Sequence, residues 1–277
     1  MRRLIAAAAL TVSVVAVATP AFAHTAPASA APKNPVEALK KQFVAGHGVR
    51  ISETSTMTTD GKSSGPVGRM TGVLEFGKSG VVSSDLTRRS KGVTVKPDDE
   101  FASLFSPTRY VSVKGQTYAK GGIYSNDLPE GKKWVRVPGT PEASLSGSQM
   151  INIFDTTVLK TVLKGAKSVR GGVYKGAITL SDLSKASGGS AVKGKFGKIK
   201  IAYAVTLNAK QLVTRVTSEA KMDFGLLGVM RMTADTRFMS WGSKVSIVAP
   251  PEAEVIDAAD LDSEVPDLPS VLNEATQ

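Results

Sequence analysis

Short segments in which apolar and polar residues alternate recur along most of the chain, and they constrain its fold more than any other feature. In one of them, Ile201, Tyr203 and Val205 alternate with small or polar residues. A period of two predicts β-strands with one face on a core and the other in water. Most of the segments are joined by short turns rich in Gly, Ser, Asn and Lys, which favour antiparallel neighbours.

Two segments have helical spacing instead. One begins at Asn34, a capping residue followed by Pro35, and the other extends from Ser148 to Gly165. In the longer segment, apolar residues recur at helical intervals over about four turns. We therefore predict an α+β fold, in which a large curved antiparallel sheet of about ten strands carries helices on its apolar face.

The first 23 residues have the pattern of a secretory signal peptide. Two arginines precede an apolar run over residues 4–18, and a small-x-small cleavage site ends at Ala23. The run is shorter than the roughly 20 residues that a membrane span needs. A second cleavage site ends at Ala30, and the sequence does not decide between the two. We expect a secreted, extracytoplasmic protein in the cell wall or the medium.

These features divide the chain into four segments. We predict a signal peptide over residues 1–23, a flexible arm over 24–33, one folded domain over 34–251 and a partly disordered acidic tail over 252–277. The tail contains eight acidic residues and no basic one, whereas the whole chain has a formal net charge of +11. The basic domain favours an anionic envelope surface, although the tail screens part of its charge. Nucleic acid is a poor partner because aromatic residues do not interleave with the basic ones.

The chain lacks the residues that common active sites require. It has no cysteine and two histidines, which excludes disulfides, thiolate metal sites and a tri-histidine zinc site. Gly61–Gly65 matches the nucleophile motif G-x-S-x-G, but no histidine follows Ser63 to act as a base. Gly72–Ser79 matches a phosphate-binding loop, but its interior alternates like a strand. We therefore expect no enzymatic activity, no metal site and no cofactor.

The methionines suggest a role for the apolar interior. Seven of the eight lie after the predicted signal peptide, and four of these fall on the last two predicted strand pairs. Methionine fills irregular gaps in a core and also lines adaptable binding surfaces. A curved sheet with few covering helices can leave a gap that suits acyl chains. From the sequence alone, both roles remain open.

Three segments carry motifs of a known family: a hairpin over Leu128–Val137, a strand over Tyr203–Asn208 and a final strand over Trp241–Pro251. Together with the order of the elements, they resemble exported actinobacterial proteins of the LppX/LprAFG type, which belong to the wider LolA-like group. The resemblance extends over most of residues 34–257. It implies a half-barrel, with helices on the concave face of a strongly curved sheet. It also implies binding of a lipid or lipidated molecule in the cavity between sheet and helices, without catalysis.

Many proteins of this type are lipoproteins held to the membrane by an acylated cysteine, and this chain has no cysteine. We therefore expect a released carrier, a cell-wall-associated protein or a binding sensor that is not lipid-anchored through cysteine.

The resemblance supplies no short ligand motif, so the cavity lining is predicted from the periodicity of each strand. If the periodicity of a strand is misread by one residue, the residues predicted to face inward on that strand face outward. We expect a monomer that binds a lipid or another acylated or hydrophobic ligand and could carry it in the cell envelope. The alternative is an envelope interaction or sensor protein that uses its basic body without a bound lipid. The predicted cavity-lining residues are Met70, Leu74, Phe76, Ile151, Phe154, Val158, Tyr203, Val205, Leu212, Met222, Met230, Met232 and Phe238.

Overall fold

One large sheet contains every strand of the part of the chain that the structure describes. The structure is a computed structural model, and it describes residues 34–63, 67–92, 102–125, 128–137 and 147–261. The predicted signal peptide, the predicted arm and the acidic tail from residue 262 lie outside the described residues. No helix in these five ranges is long and apolar enough to cross a membrane.

The sheet has thirteen strands, which follow the order β13-β7-β6-β5-β4-β3-β1-β12-β11-β10-β9-β8, with β2 paired to β1. The strands are β1 (His47–Thr59), β2 (Lys62–Ser63), β3 (Val67–Phe76), β4 (Val81–Lys91), β5 (Thr108–Val113), β6 (Gln116–Gly121), β7 (Trp134–Val137), β8 (Ser168–Arg170), β9 (Val173–Thr179), β10 (Lys200–Leu207), β11 (Val213–Asp223), β12 (Val229–Lys244) and β13 (Val255–Asp257).

The sheet is open, curved and antiparallel except at one edge, where β13 runs parallel to β7. The predicted α+β fold, with a strongly curved antiparallel sheet and helices packed on it, is confirmed, and the shape is consistent with a half-barrel. The strand count of about ten was too low. Strands β2, β8 and β13 have two or three residues each, too few to show alternation in the sequence.

Five helices accompany the sheet in the described ranges: α1 (Pro35–Lys40), α2 (Ala102–Phe105), α3 (Thr156–Lys164), α4 (Leu180–Ala186) and α5 (Gly194–Gly197). The predicted start of the longer helix at Ser148 was wrong by seven residues. Its cap is Asp155, whose side chain accepts hydrogen bonds from the amides of Thr157 and Val158. Ile151 is buried, but it lies in an irregular segment before the helix, so its helical spacing did not indicate a helical turn.

Helices α1 and α3 pack on the face of the sheet that bears the core, which we call the inner face. Leu39 of α1 and Val158 and Val162 of α3 belong to the same buried cluster as Leu74 of β3. Beside them lies an aromatic cluster, in which neighbouring ring centroids are 5.5 to 6.1 Å apart. The aromatic cluster consists of Phe43, Phe76, Phe154, Phe238 and Trp241.

The sheet continues past the domain boundary that we placed at residue 251. After β12 the chain extends without strand pairing to Val248, and β13 then pairs with β7. Ion pairs hold this contact: Arg136 of β7 binds Glu252 and Asp257, and Lys133 binds Glu254. The first acidic residues of the predicted tail therefore form part of the described fold.

A glycine in the middle of β3 shows how closely β3 and β4 approach each other. A Cβ atom at Gly72 would lie 2.0 Å from the carbonyl oxygen of Asp85 and 2.9 Å from Cα of Leu86, both in β4. Gly72 also begins the phosphate-loop match, whose interior belongs to β3 and which is followed by strand β4. A phosphate loop requires a helix at that point, so the match does not form one.

We expect Gly72→Ala to lower the free energy of unfolding by about 1–3 kcal/mol, because the added methyl must push β3 away from the β4 backbone. The control is Gly80→Ala in the turn between the same strands, where a Cβ atom has no neighbour within 4 Å. The control should change stability by less than about 0.5 kcal/mol. Denaturant unfolding of both variants checks this, and equal effects would contradict the close approach.

Candidate functional site

The side chains on the inner face change along the strands. From the aromatic cluster towards the hairpin that joins β11 to β12, they are first polar, then small, then methionines. Strand register defines the successive rows of side chains. Glu53 in β1 lies opposite Thr236 in β12 and Met70 in β3, and Thr236 lies opposite Val216 in β11. Beyond this row the buried core cluster continues on β10 and β11, through Ile201 and Ala220, but not on β1 or β12.

Glu53 is the centre of a buried polar network, which we call the polar belt: Glu53, Ser148, Gln149 and Thr236. Only 3% of Glu53 is exposed. Its Oε1 accepts a hydrogen bond from the Ser148 amide at 2.6 Å, and its Oε2 accepts one from the Thr236 hydroxyl at 2.9 Å. Gln149 donates to both Thr236 Oγ1 and the Val216 carbonyl at 3.2 Å. The belt therefore fastens the segment before α3 across β1, β11 and β12.

Small side chains form the next row. Ser218, Ala234, Ser55 and Gly68 are successive register partners on β11, β12, β1 and β3. Ser218 and Ala234 are buried, and the other two are half-buried. Within the described ranges, the Ser218 hydroxyl is buried without a hydrogen-bond partner. The row therefore consists of short side chains, and its members on β11 and β12 are already covered.

Beyond the small residues lies a group of methionines, which we call the methionine strip: Met57, Met222, Met230 and Met232. Met57 pairs with Met232 across β1 and β12, and Met222 pairs with Met230 across β11 and β12. Met57 is 36% exposed and the other three are half-buried. None of the four belongs to the buried core cluster. The strip thus offers adaptable apolar surface that the described core leaves partly open.

The thirteen residues predicted to line a cavity fall into four groups. Phe154 packs against the core cluster, Met222, Met230 and Met232 lie in the methionine strip, and Leu212 is buried outside the cluster. The other eight lie inside the buried core cluster: Met70, Leu74, Phe76, Ile151, Val158, Tyr203, Val205 and Phe238. The structure does not test ligand contact by any of them, and that assignment stays a prediction.

The positions of Leu212 and Tyr203 have local structural causes. The register of β10 and β11 shifts between Thr206 and Leu207, and Val213 rather than Leu212 enters the core cluster. The Tyr203 hydroxyl donates to the Val162 carbonyl at 2.6 Å, which ties β10 to α3. Burial raises the pKa of this phenol above its ordinary value.

Sequence reasoning missed Glu53, Thr236 and Ser218. The signal was present in β1, where Val49 and Ile51 have the same parity as Glu53 and all three are buried. A carboxyl group at an inward position of an apolar strand indicates a buried polar network.

A second feature lies on the opposite, outer face. A pocket of about 700 Å³ is lined by outward residues of β9, β10 and β11 together with α5 and the start of the β11–β12 hairpin. Among its lining residues are Phe196, Lys198, Lys200, Lys221 and Phe224. Met222 of the methionine strip and Ile199, which packs against the core cluster, also line it, so the pocket is not confined to the outer face. Among the described residues, no group of three or more His, Asp or Glu is arranged to hold a metal ion.

Comparisons with known proteins identify no family. No family model matches the sequence, and no curated protein matches it. Three solved structures share 6–11% identity with the chain. A DUF1329 family protein from Desulfovibrio piger ATCC 29098 (11% identity) covers 77% of this chain and 93% of its own, with a TM-score of 0.32.

The ywiB protein from Bacillus subtilis (11% identity) covers 70% of this chain and 93% of its own, with a TM-score of 0.18. MucB in complex with MucA(peri), at 6% identity, covers 78% of this chain and 98% of its own, with a TM-score of 0.13. These scores are too low to support an argument about fold or ligand.

Thr236→Val should destabilise the protein by about 1–3 kcal/mol, because it leaves Glu53 Oε2 buried without its donor. The control, Thr233→Val, makes the same change on the outer face of the same strand. It removes a hydrogen bond of 2.6 Å between Thr233 and Thr56, and should have an effect of about 1 kcal/mol or less. Thermal and denaturant unfolding measure both, and an effect of Thr236→Val no larger than the control would show that the belt does not stabilise the fold.

Proposed function

We propose that this protein is an exported, non-catalytic binding protein for a lipid or another acylated or hydrophobic ligand. The observation that supports the proposal is the methionine strip, which continues the apolar inner face beyond the packed core. Unbranched thioether side chains reshape at little energetic cost, and half-exposed ones gain stability when an apolar ligand covers them.

The neighbouring rows suit the same class of ligand. The row of short side chains formed by Ser218, Ala234, Ser55 and Gly68 lies directly beside the strip. A slender acyl chain fits a surface where short side chains adjoin long flexible ones. The polar belt separates this region from the aromatic cluster, so ligand contacts and core packing involve different residues.

The proposals of export and of a carrier role in the cell envelope rest on the sequence. The N-terminal pattern supports export, and the absence of cysteine excludes an anchor on an acylated cysteine. The motifs of the LppX/LprAFG type support a carrier role in the cell envelope, and the curved sheet is consistent with the half-barrel of the LolA-like group. We therefore place the protein outside the cytoplasm as a monomeric carrier.

A second candidate function is interaction with an envelope partner through the basic body. The outer-face pocket supports it, because Lys195, Lys198, Lys200 and Lys221 line it beside two acidic residues. This function would need no ligand on the inner face.

Native extraction distinguishes the two functions. Protein purified without denaturant should release a lipid into organic solvent, identified by mass spectrometry, in an amount comparable to the protein. Protein that is empty after native purification, and that also fails to bind an acyl-chain probe, would overturn lipid binding and leave the envelope interaction.

Replacing Met230 and Met232 together by glutamine should weaken binding of the fluorescent fatty acid cis-parinaric acid about tenfold or more, because two apolar contacts become polar. The matched control is Met239→Gln, an exposed methionine on the same strand but outside this strip. The control should bind like the unaltered protein. Fluorescence titration measures the affinity, and equal binding by all three proteins would place the ligand elsewhere.

A further inference from the structure

The turn between β11 and β12 presents apolar side chains to solvent. Leu226 is fully exposed, and Phe224 and Val229 are also exposed. The turn is well formed: the Phe224 amide donates to the Gly228 carbonyl at 3.0 Å, and Gly225 and Gly228 supply the positive φ angles. We call residues 224–229 the hairpin tip. A turn of this kind is normally polar, so its apolar surface requires a partner.

Lysine side chains lie beside the hairpin tip. The outer-face pocket brings Phe224 of the tip together with Lys195, Lys198 and Lys200. Within the described ranges, these three lysines make no ion pair, whereas Lys221 is paired with Glu219. The local charge available to a partner is therefore positive.

The acidic groups near the tip are already engaged. Glu219 also pairs with Arg231 at 3.2 Å. Asp223 accepts a hydrogen bond from the Gly225 amide at 2.8 Å, and Asp60 accepts one from the Val229 amide at 2.8 Å. These hydrogen bonds stabilise the turn and leave both carboxylates charged, but four lysines and only two acidic residues line the pocket, so the local charge stays positive.

We propose that the hairpin tip docks into the surface of an anionic membrane. Leu226 and Phe224 enter the boundary between headgroups and acyl chains, and the lysines of α5 and its flanks bind anionic headgroups. Apolar side chains beside a cluster of lysines are the combination by which peripheral proteins bind such interfaces. The proposal concerns the hairpin tip and the lysines beside it, and it does not depend on the proposed function. The Met222–Met230 pair lies at the base of the tip, so docking would bring the open end of the strip to the membrane.

Vesicle co-sedimentation tests the proposal with residues 24–277, the chain that follows the predicted signal peptide. We expect binding to vesicles of equimolar phosphatidylcholine and phosphatidylglycerol, and little binding to phosphatidylcholine alone. Leu226→Ser should weaken binding about tenfold, because it removes the most exposed apolar side chain of the tip. The control, Val248→Ser, changes an exposed apolar residue outside the sheet and should leave binding unchanged.

A second pair of variants tests the charge. Lys195→Gln together with Lys198→Gln should weaken binding roughly fivefold for each lysine removed. Lys78→Gln together with Lys114→Gln removes the same charge from turns between other strands and should have a much smaller effect. Rising salt should weaken binding of the unaltered protein and of this control, and should have less effect on the first variant.

Three results would overturn the proposal: no binding to anionic vesicles, equal binding to both vesicle types, or equal loss of binding in Leu226→Ser and Val248→Ser. Light scattering addresses the competing occupant, a second copy of this chain. A dimer that Leu226→Ser dissociates, together with absent vesicle binding, would make the tip an interface between copies.

Discussion

The pairing of β1 with β12 is the constraint on which the rest of the structure depends. It joins residues that are far apart in sequence, and it connects the strands before residue 138 to those after residue 167. Through this register, Ile51 meets Phe238 in the core, Glu53 meets Thr236 in the polar belt, and Met57 meets Met232 in the methionine strip. A slip of one residue would turn each of these side chains to the opposite face. The core and the candidate site are therefore set by the same ladder of hydrogen bonds.

The inner face combines two regions with different physical roles. Most of the aromatic cluster and the residues beneath α1 and α3 are buried, so they supply stability through packing. The methionine strip is half-exposed, so it can gain contacts with a ligand without disturbing that packing. The polar belt lies between them and fixes the segment before α3, because Glu53 uses both carboxyl oxygens as acceptors. A protein built in this way can keep its fold whether or not its open region is occupied.

The alternation of apolar and polar residues predicted the strands that are long enough to show it. The strand around Tyr203 and the inward-facing side of β12 were predicted correctly, because in each strand the inward residues recur at every second position over several residues. The start of α3 was missed because Ile151 and Phe154 have helical spacing although they lie in the irregular segment before the helix. The register shift between β10 and β11 beside Leu212 was not predicted, because a shift of this kind leaves no trace in composition. The polar belt depends on β1, β12 and the segment at Ser148 meeting in space, which no local pattern shows.

The location of β13 changes how the charge of the protein is understood. A net charge of +11 with an acidic C-terminal segment suggests general self-screening. In the structure, residues 252–257 instead bind Arg136 and Lys133 at the β7 edge of the sheet. The unpaired lysines of α5 and its flanks lie near β9 and β10, towards the other edge. Short-range ion pairs at one edge do little to neutralise charges at the other, because salt screens exposed charges beyond about 10 Å. The positive surface beside the hairpin tip therefore stays available while the first acidic residues hold β13 in place.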